Sequence, residues 1–83
     1  MNNNNDLDKC LSDAGFEVQR GETNGLAYDV TAVSIDGFVW KTRLDNIEKW
    51  ARTFGFTLAN YIIIASLADS GKLIVNFTFS RLR

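Results

Sequence analysis

The chain of 83 residues is predicted to form one α+β domain, with helices packed on a single antiparallel sheet of about five strands. Two segments carry apolar residues at helical spacing, and the other apolar segments alternate between turns that contain glycine. In chain order these segments give α-β-β-β-α-β-β, for which helices on one antiparallel sheet are the simplest architecture. Residues 1–5, an Asn-rich run, are predicted to be a frayed or disordered end, and residues 6–83 to form the domain.

The first predicted helix covers residues 6–14. Leu7, Cys10, Leu11 and Ala14 have the spacing i, i+3, i+4, i+7 that places side chains on one helix face. The glycine that follows is suited to end the helix because it readily adopts a left-handed conformation.

Two strands are predicted to follow the first helix. Residues 16–20 form a short strand, residues 21–25 a turn, and residues 26–35 a longer strand. Apolar residues occupy every second position of the longer strand, but this alternation shifts by one residue partway along it. A β-bulge near Thr31 and Ala32 would return them to one face; a regular strand, which leaves them on opposite faces, is the alternative.

The dipeptide Asp36-Gly37 is the strongest turn signal in the sequence. Asp-Gly between apolar residues favours a two-residue type I′ hairpin. In such a hairpin Ile35 would pair with Phe38, and residues 38–43 would form the third strand.

The second helix is predicted to begin at Asp45, whose carboxylate can cap it. Glu48, three residues later, completes the pattern of a capping box. Gly55 is suited to the left-handed position that ends the helix, with Phe56 folded back onto its last turns. The apolar face of this helix consists of Leu44, Ile47, Trp50, Ala51 and Phe54.

The last predicted hairpin joins residues 58–68 to residues 72–82 through a turn at residues 69–71. A three-residue loop would pair Leu67 with Leu73 and place apolar residues opposite one another along the hairpin. A two-residue loop is the competing possibility and would shift the pairing by one residue.

The sequence contains no histidine and a single cysteine, which removes most catalytic and metal-binding chemistry. A Ser-His-Asp triad, a Cys-His dyad and a zinc site all need residues that the chain lacks. Cys10 lies on the apolar face of the first predicted helix and is expected to be a core residue rather than a nucleophile. We therefore predict a protein that is not an enzyme, with no catalytic residue, no metal and no cofactor.

The sequence also predicts a cytoplasmic protein. It has no run of about 18 apolar residues, and its N-terminal residues lack the basic and apolar regions of a signal peptide. One cysteine cannot form an internal disulfide, which is typical of a reducing compartment.

The net charge of −1 is unevenly distributed. Residues 1–36 carry two bases and seven acids, whereas residues 37–83 carry seven bases and three acids. Charge compensation within the fold is the simpler explanation, and a basic surface that contacts phosphates is the alternative. The candidate residues for that surface are Val39, Lys41, Arg43, Lys49 and Arg52.

Residues 28–54 resemble the small DNA-binding arm of phage-type integrases, which consists of three strands and a helix. The matching residues are Asp36-Gly37 in the turn and Thr42-Arg43 at the step into the helix. The resemblance implies DNA contacts from the hairpin and the helix.

The strand around residue 62 is apolar on both faces. If Tyr61 and Ile63 face the core, then Ile62, Ile64 and Ile74 point to the opposite face, where polar residues are normally found. The first helix could cover that face. Otherwise the patch is expected to bind a protein partner or a second copy of the chain, and an edge strand could add backbone pairing.

Together these features predict a small non-catalytic protein-binding module, with a homodimer as one expected assembly. In size and layout, with a helix between two hairpins, the chain resembles small phage-encoded inhibitors such as anti-CRISPR proteins. That resemblance implies a phage or mobile-element inhibitor of a host protein complex. A nucleic-acid-binding accessory protein is the alternative, and no membrane contact is expected.

Overall fold

The computed structural model describes residues 3–67 and 71–82 and contains two helices and a four-stranded antiparallel sheet. The predicted α+β class is confirmed, but the sheet has four strands rather than about five, and the order is α-β-β-α-β-β. The elements are α1 (Asn3–Asp13), β1 (Phe16–Asn24), β2 (Ala27–Ser34), α2 (Lys41–Thr53), β3 (Phe56–Leu67) and β4 (Lys72–Arg81). The first turn of α1 therefore includes residues 3–5, which were predicted to fray.

The missing strand is the one predicted at residues 38–43. The Asp36-Gly37 dipeptide does turn the chain, with Gly37 at φ +78°, but it does not form a hairpin, and Ile35 does not pair with Phe38. Instead the carboxylate of Asp36 accepts the backbone N–H of Phe38 at 3.2 Å, the local turn that Asp side chains favour. The structure therefore lacks the third strand on which the resemblance to the integrase arm depends.

Helix α2 begins four residues earlier than predicted, at Lys41. Its N-cap residue Trp40 makes no side-chain capping bond, so the prediction of an Asp45 capping box is wrong. Asp45 instead pairs with Lys41 one turn earlier, at 3.4 Å. The predicted end is confirmed, since Gly55 has φ +87°.

The β1–β2 hairpin is longer than predicted because its turn lies at Gly25-Leu26. Gly25 has a positive φ and Leu26 does not, which is the pattern of a type II′ turn. Gly21, predicted to belong to the turn, lies inside β1. A Cβ atom there would come 1.9 Å from the hydroxyl oxygen of Tyr28, so glycine makes room for that aromatic side chain.

The bulge predicted near Thr31 and Ala32 lies in the neighbouring strand. β2 alternates regularly between half-buried and buried residues, whereas β1 shifts register between Val18 and Arg20, opposite Ala32 and Thr31. The alternation of apolar residues shifts in the sequence because β2 ends at Ser34, and the residues beyond Ser34 no longer belong to the sheet.

The strand order is β1-β2-β4-β3, with every neighbouring pair antiparallel. β2 and β3 consequently run in the same direction with β4 between them, and α2 crosses over from one to the other. β1 and β3 are the two edges of the sheet.

The β3–β4 register differs from both predicted registers. Leu67 pairs with Lys72 rather than with Leu73, and the register shifts twice, between Leu58 and Asn60 and between Ile63 and Ala65. Each shift adds one extra residue to β3, so a register counted from the turn does not hold along the hairpin. The predicted turn residues Asp69 and Ser70 lie outside the described part of the chain.

Both helices pack on the same face of the sheet, so α1 does not cover the face on which Ile62 and Ile74 lie. Phe16 and Phe77 meet edge to face in the core, with ring centroids 5.0 Å apart. The core consists of Leu7, Leu11, Phe16, Tyr28, Val30, Ala32, Ile47, Ala51, Phe56, Val75, Phe77 and Phe79. Trp50, predicted to face this core, is exposed.

Candidate protein-interaction site

The two edges of the sheet differ in chemistry. β1 presents the charged and exposed residues Glu17, Arg20 and Glu22, and charge on an edge strand discourages pairing with another chain. β3 has no charged residue anywhere in Phe56–Leu67. Of the two edges, β3 is therefore the one whose side chains do not oppose pairing.

Four consecutive large apolar side chains of β3 are exposed. The exposed fractions are 43% for Tyr61, 56% for Ile62, 49% for Ile63 and 57% for Ile64. Tyr61 lies opposite Phe77, which is fully buried, so the helix layer covers β4 at this level but not the edge strand. The prediction that Tyr61 and Ile63 face the core gave the correct side of the sheet, but these side chains are not enclosed.

The predicted patch of Ile62, Ile64 and Ile74 is only partly assembled. Ile62 lies on the open face, Ile64 is the extra residue at the second register shift, and Ile74 lies inside the sheet between Val33 and Ala65. Ile74 is half-buried, unlike the other two. The exposed apolar surface is thus concentrated on β3.

Glu48 attaches the first part of β3 to α2. Its carboxylate accepts the Thr57 hydroxyl at 2.8 Å, the backbone N–H of Leu58 at 2.6 Å and the Nε–H of Arg52 at 2.6 Å. Partial burial raises the pKa of Glu48, but the hydrogen bonds from Thr57, Leu58 and Arg52 outweigh it, so the net pKa is below the usual value. The carboxylate therefore satisfies an outward backbone donor of the edge, just before the register shift near Ala59.

An open groove of about 620 Å³ lies beside the next part of β3. Its far wall is formed by Leu44 and Asp45 of α2, and its near wall by Leu58, Asn60 and Tyr61. A groove between a helix and an unpaired strand edge is the setting in which many domains bind an extended polypeptide as an additional strand.

Two exposed aromatic side chains lie in the loop that contributes Val39 to this groove. Phe38 and Trp40 stack with ring centroids 4.9 Å apart and are each 52% exposed. Val39, between them in sequence, lines the groove with Tyr61. We use the term apolar rim for the six exposed side chains of Phe38, Trp40, Tyr61, Ile62, Ile63 and Ile64.

An ion pair holds the loop that carries the two aromatic residues. Arg43 donates to both carboxylate oxygens of Asp36, and the buried Ser34 hydroxyl donates to the carbonyl of Phe38 at 2.7 Å. The guanidinium hydrogen bonds hold the pKa of Asp36 well below its usual range, and the same contact raises that of Arg43. Arg43, predicted to contact a partner, thus has a structural role in the loop.

The other basic candidates lie on α2, and Lys41 also lines the groove beside β3. Lys41 pairs with Asp45 and Arg52 with Glu48, while Lys49 is exposed. With Arg43, three of these four cations face a carboxylate of their own chain, which weakens the support for a phosphate-binding surface. Nucleic-acid binding remains an alternative prediction, which a gel shift at low salt would test.

Titratable groups elsewhere have structural explanations. Burial raises the pKa of the Cys10 thiol, which fits the predicted core position and does not favour a thiolate. Within residues 3–67 and 71–82, no group of three or more His, Cys, Asp or Glu side chains could hold a metal ion. The helices in those ranges are too short or too polar to cross a membrane.

No protein-family model matches this chain, and no curated protein matches it significantly.

Proposed function

We propose that this chain is a non-catalytic protein-binding module that pairs an extended segment of its partner with the edge of β3. The observation that carries the proposal is the combination of an uncharged edge strand, four exposed apolar side chains on it, and an adjacent groove. Strand addition uses the backbone for affinity and the alternating side chains for specificity.

The exposed side chains add a hydrophobic contribution to that pairing. Burying the exposed half of Tyr61, Ile62, Ile63 or Ile64 is worth about 1 kcal/mol for each residue. Such a sum cannot hold a complex alone, because association itself costs several kcal/mol. Backbone hydrogen bonds along β3 and contacts with Phe38 and Trp40 would supply the remainder.

The titratable groups support a binding role over catalysis. Acid–base catalysis at neutral pH needs a carboxylate with a raised pKa or a similarly tuned base. The carboxylates with clear shifts, Asp36 and Glu48, are shifted downward by their structural partners. As a finer proposal, the module inhibits a host protein complex by occupying one of its strand edges, and the layout of a helix between two hairpins supports that role.

A capture experiment with three forms of the chain tests the proposal. The wild type, Ile62→Lys and Leu26→Lys are immobilised in turn and exposed to an extract of the source cells and to a differently tagged copy of the chain. Leu26 is a matched control because it is 59% exposed, close to the 56% of Ile62, and lies in the β1–β2 turn. We expect the wild type and Leu26→Lys to retain the same protein and Ile62→Lys to lose it. Equal retention by all three forms, or retention of nothing, would contradict the proposal.

A further inference from the structure

We infer that the strand bound at the β3 edge is β3 of a second copy of this chain, paired antiparallel about a two-fold axis at Ile62. This inference rests on the proposed function of the edge and names its partner. It would join two four-stranded sheets into one continuous sheet, with the charged β1 strands at its two outer edges.

Symmetry restricts the register of such a pair. A two-fold axis that relates two antiparallel neighbouring strands is perpendicular to the sheet. Residues that pair across this axis lie on the same face, and side chains alternate between faces along each strand. The two residue numbers of a pair are therefore both even or both odd, so their sum is even. The regular part of β3 between its two register shifts is residues 60–63. An axis at Ile62 lies within this part and places Ile62 opposite its own copy and Tyr61 opposite Ile63.

This register buries the side chains that the monomer leaves exposed. On the helix side, Tyr61 of one chain and Ile63 of the other would cover each other where neither is covered by α2. On the open face the two Ile62 side chains would meet. No like charges face each other, because Phe56–Leu67 contains none.

The register also brings the exposed Ile64 up to the other copy. Ile64 is the most exposed residue of the four on β3, at 57%, and it is the extra residue of a bulge just beyond the regular part of the strand. It would lie near Asn60 of the second copy and lose part of that exposure.

The available area fits a modest dimer interface. The apolar rim has six large side chains, each about half exposed, which together offer roughly 500–600 Å² per copy. A standard interface buries roughly 800 Å² per partner, and the paired backbone of β3 would contribute to the remainder.

Solution mass and a charge-complementation experiment test the inference. The purified chain is expected at 18.6 kDa by light scattering, twice the 9.3 kDa of one chain. Ile62→Lys alone and Ile62→Asp alone should be monomers, because the axis places like charges opposite each other. An equal mixture of the two should recover the dimer, because Lys would then face Asp. Leu26→Lys should remain dimeric, and circular dichroism should show that each variant is folded.

Several outcomes would overturn the inference. These are a wild-type monomer at high protein concentration, a dimeric Ile62→Lys, or a mixture that stays monomeric. If the wild type is monomeric but captures another protein through Ile62, only the identity of the partner is wrong. If no capture depends on Ile62 either, the proposed function fails with it.

Discussion

The backbone N–H of Leu58 donates to the carboxylate of Glu48 at 2.6 Å, and this bond marks where β3 stops being attached to α2. A buried or half-buried backbone donor needs a partner, and here a helix side chain supplies it. The register shift near Ala59 follows at once, and beyond it the exposed apolar residues begin. The same strand is thus anchored at one end and open to a partner at the other.

Replacing Glu48 by Ala should lower the free energy of unfolding by about 1–2 kcal/mol, because Thr57 and Leu58 lose a charged acceptor. Urea unfolding at neutral pH measures this. Asp45→Ala is the matched control on the same helix, since its ion pair with Lys41 is largely exposed and its loss should cost under about 0.5 kcal/mol. Equal effects of the two substitutions would show that Glu48 does not anchor β3.

The ion pair between Asp36 and Arg43 should make the stability of the fold depend on pH in the acidic range. The pKa of Asp36 is lowered from 3.8 chiefly by hydrogen bonds from Arg43. The ion pair therefore stabilises the fold at pH values above the pKa that Asp36 has in the unfolded chain. This stabilisation is lost as the pH falls through the pKa of Asp36 in the folded chain. The wild-type urea midpoint should decline more steeply below about pH 4.5 than that of Asp36→Asn. Arg43→Met should flatten the profile in the same way, because it removes the cause of the shift. Parallel profiles in all three proteins would contradict this assignment.

Gly37 should tolerate no side chain. It has φ +78°, and a Cβ atom there would come 1.9 Å from the carbonyl oxygen of Gly71, so Gly37→Ala should cost about 3 kcal/mol. Gly25 has φ +64° but no atom within 4 Å of the added Cβ, so Gly25→Ala should cost about 1 kcal/mol. Thermal unfolding of both variants separates the backbone cost from the clash, and a smaller loss for Gly37→Ala would be inconsistent with the close approach.

The fold class could be predicted from local patterns, whereas the missing strand could not. The apolar spacing of Leu7 and Leu11 and the left-handed position of Gly55 are local, and both predictions hold. Asp36-Gly37 was misleading because the partner of Asp36 is Arg43, seven residues later, and that contact favours a loop leading into a helix. The local preference of a dipeptide for one type of turn is weak, and tertiary contacts such as this one outweigh it.

The candidate site could be predicted in part. The occurrence of apolar residues on both faces of the strand identified Ile62 and Ile64. The exposure of Tyr61 and Ile63 depends on how far α2 extends over the sheet, and the spacing of apolar residues in the sequence does not predict that. One available signal was the absence of charge from residue 53 to residue 68, because native edge strands normally carry charges that prevent pairing.

Amide hydrogen exchange along β3 tests most directly whether its edge pairs with another strand. In a free antiparallel edge, amides alternate between those bonded to the neighbouring strand and those facing solvent. We predict that successive amides of residues 61–63 are all protected at high protein concentration or with a captured partner. Ile62→Lys should restore the alternation, and outward amides of β1 should exchange rapidly throughout. Outward β3 amides that exchange as fast as those of β1 under every condition would contradict strand pairing at this edge.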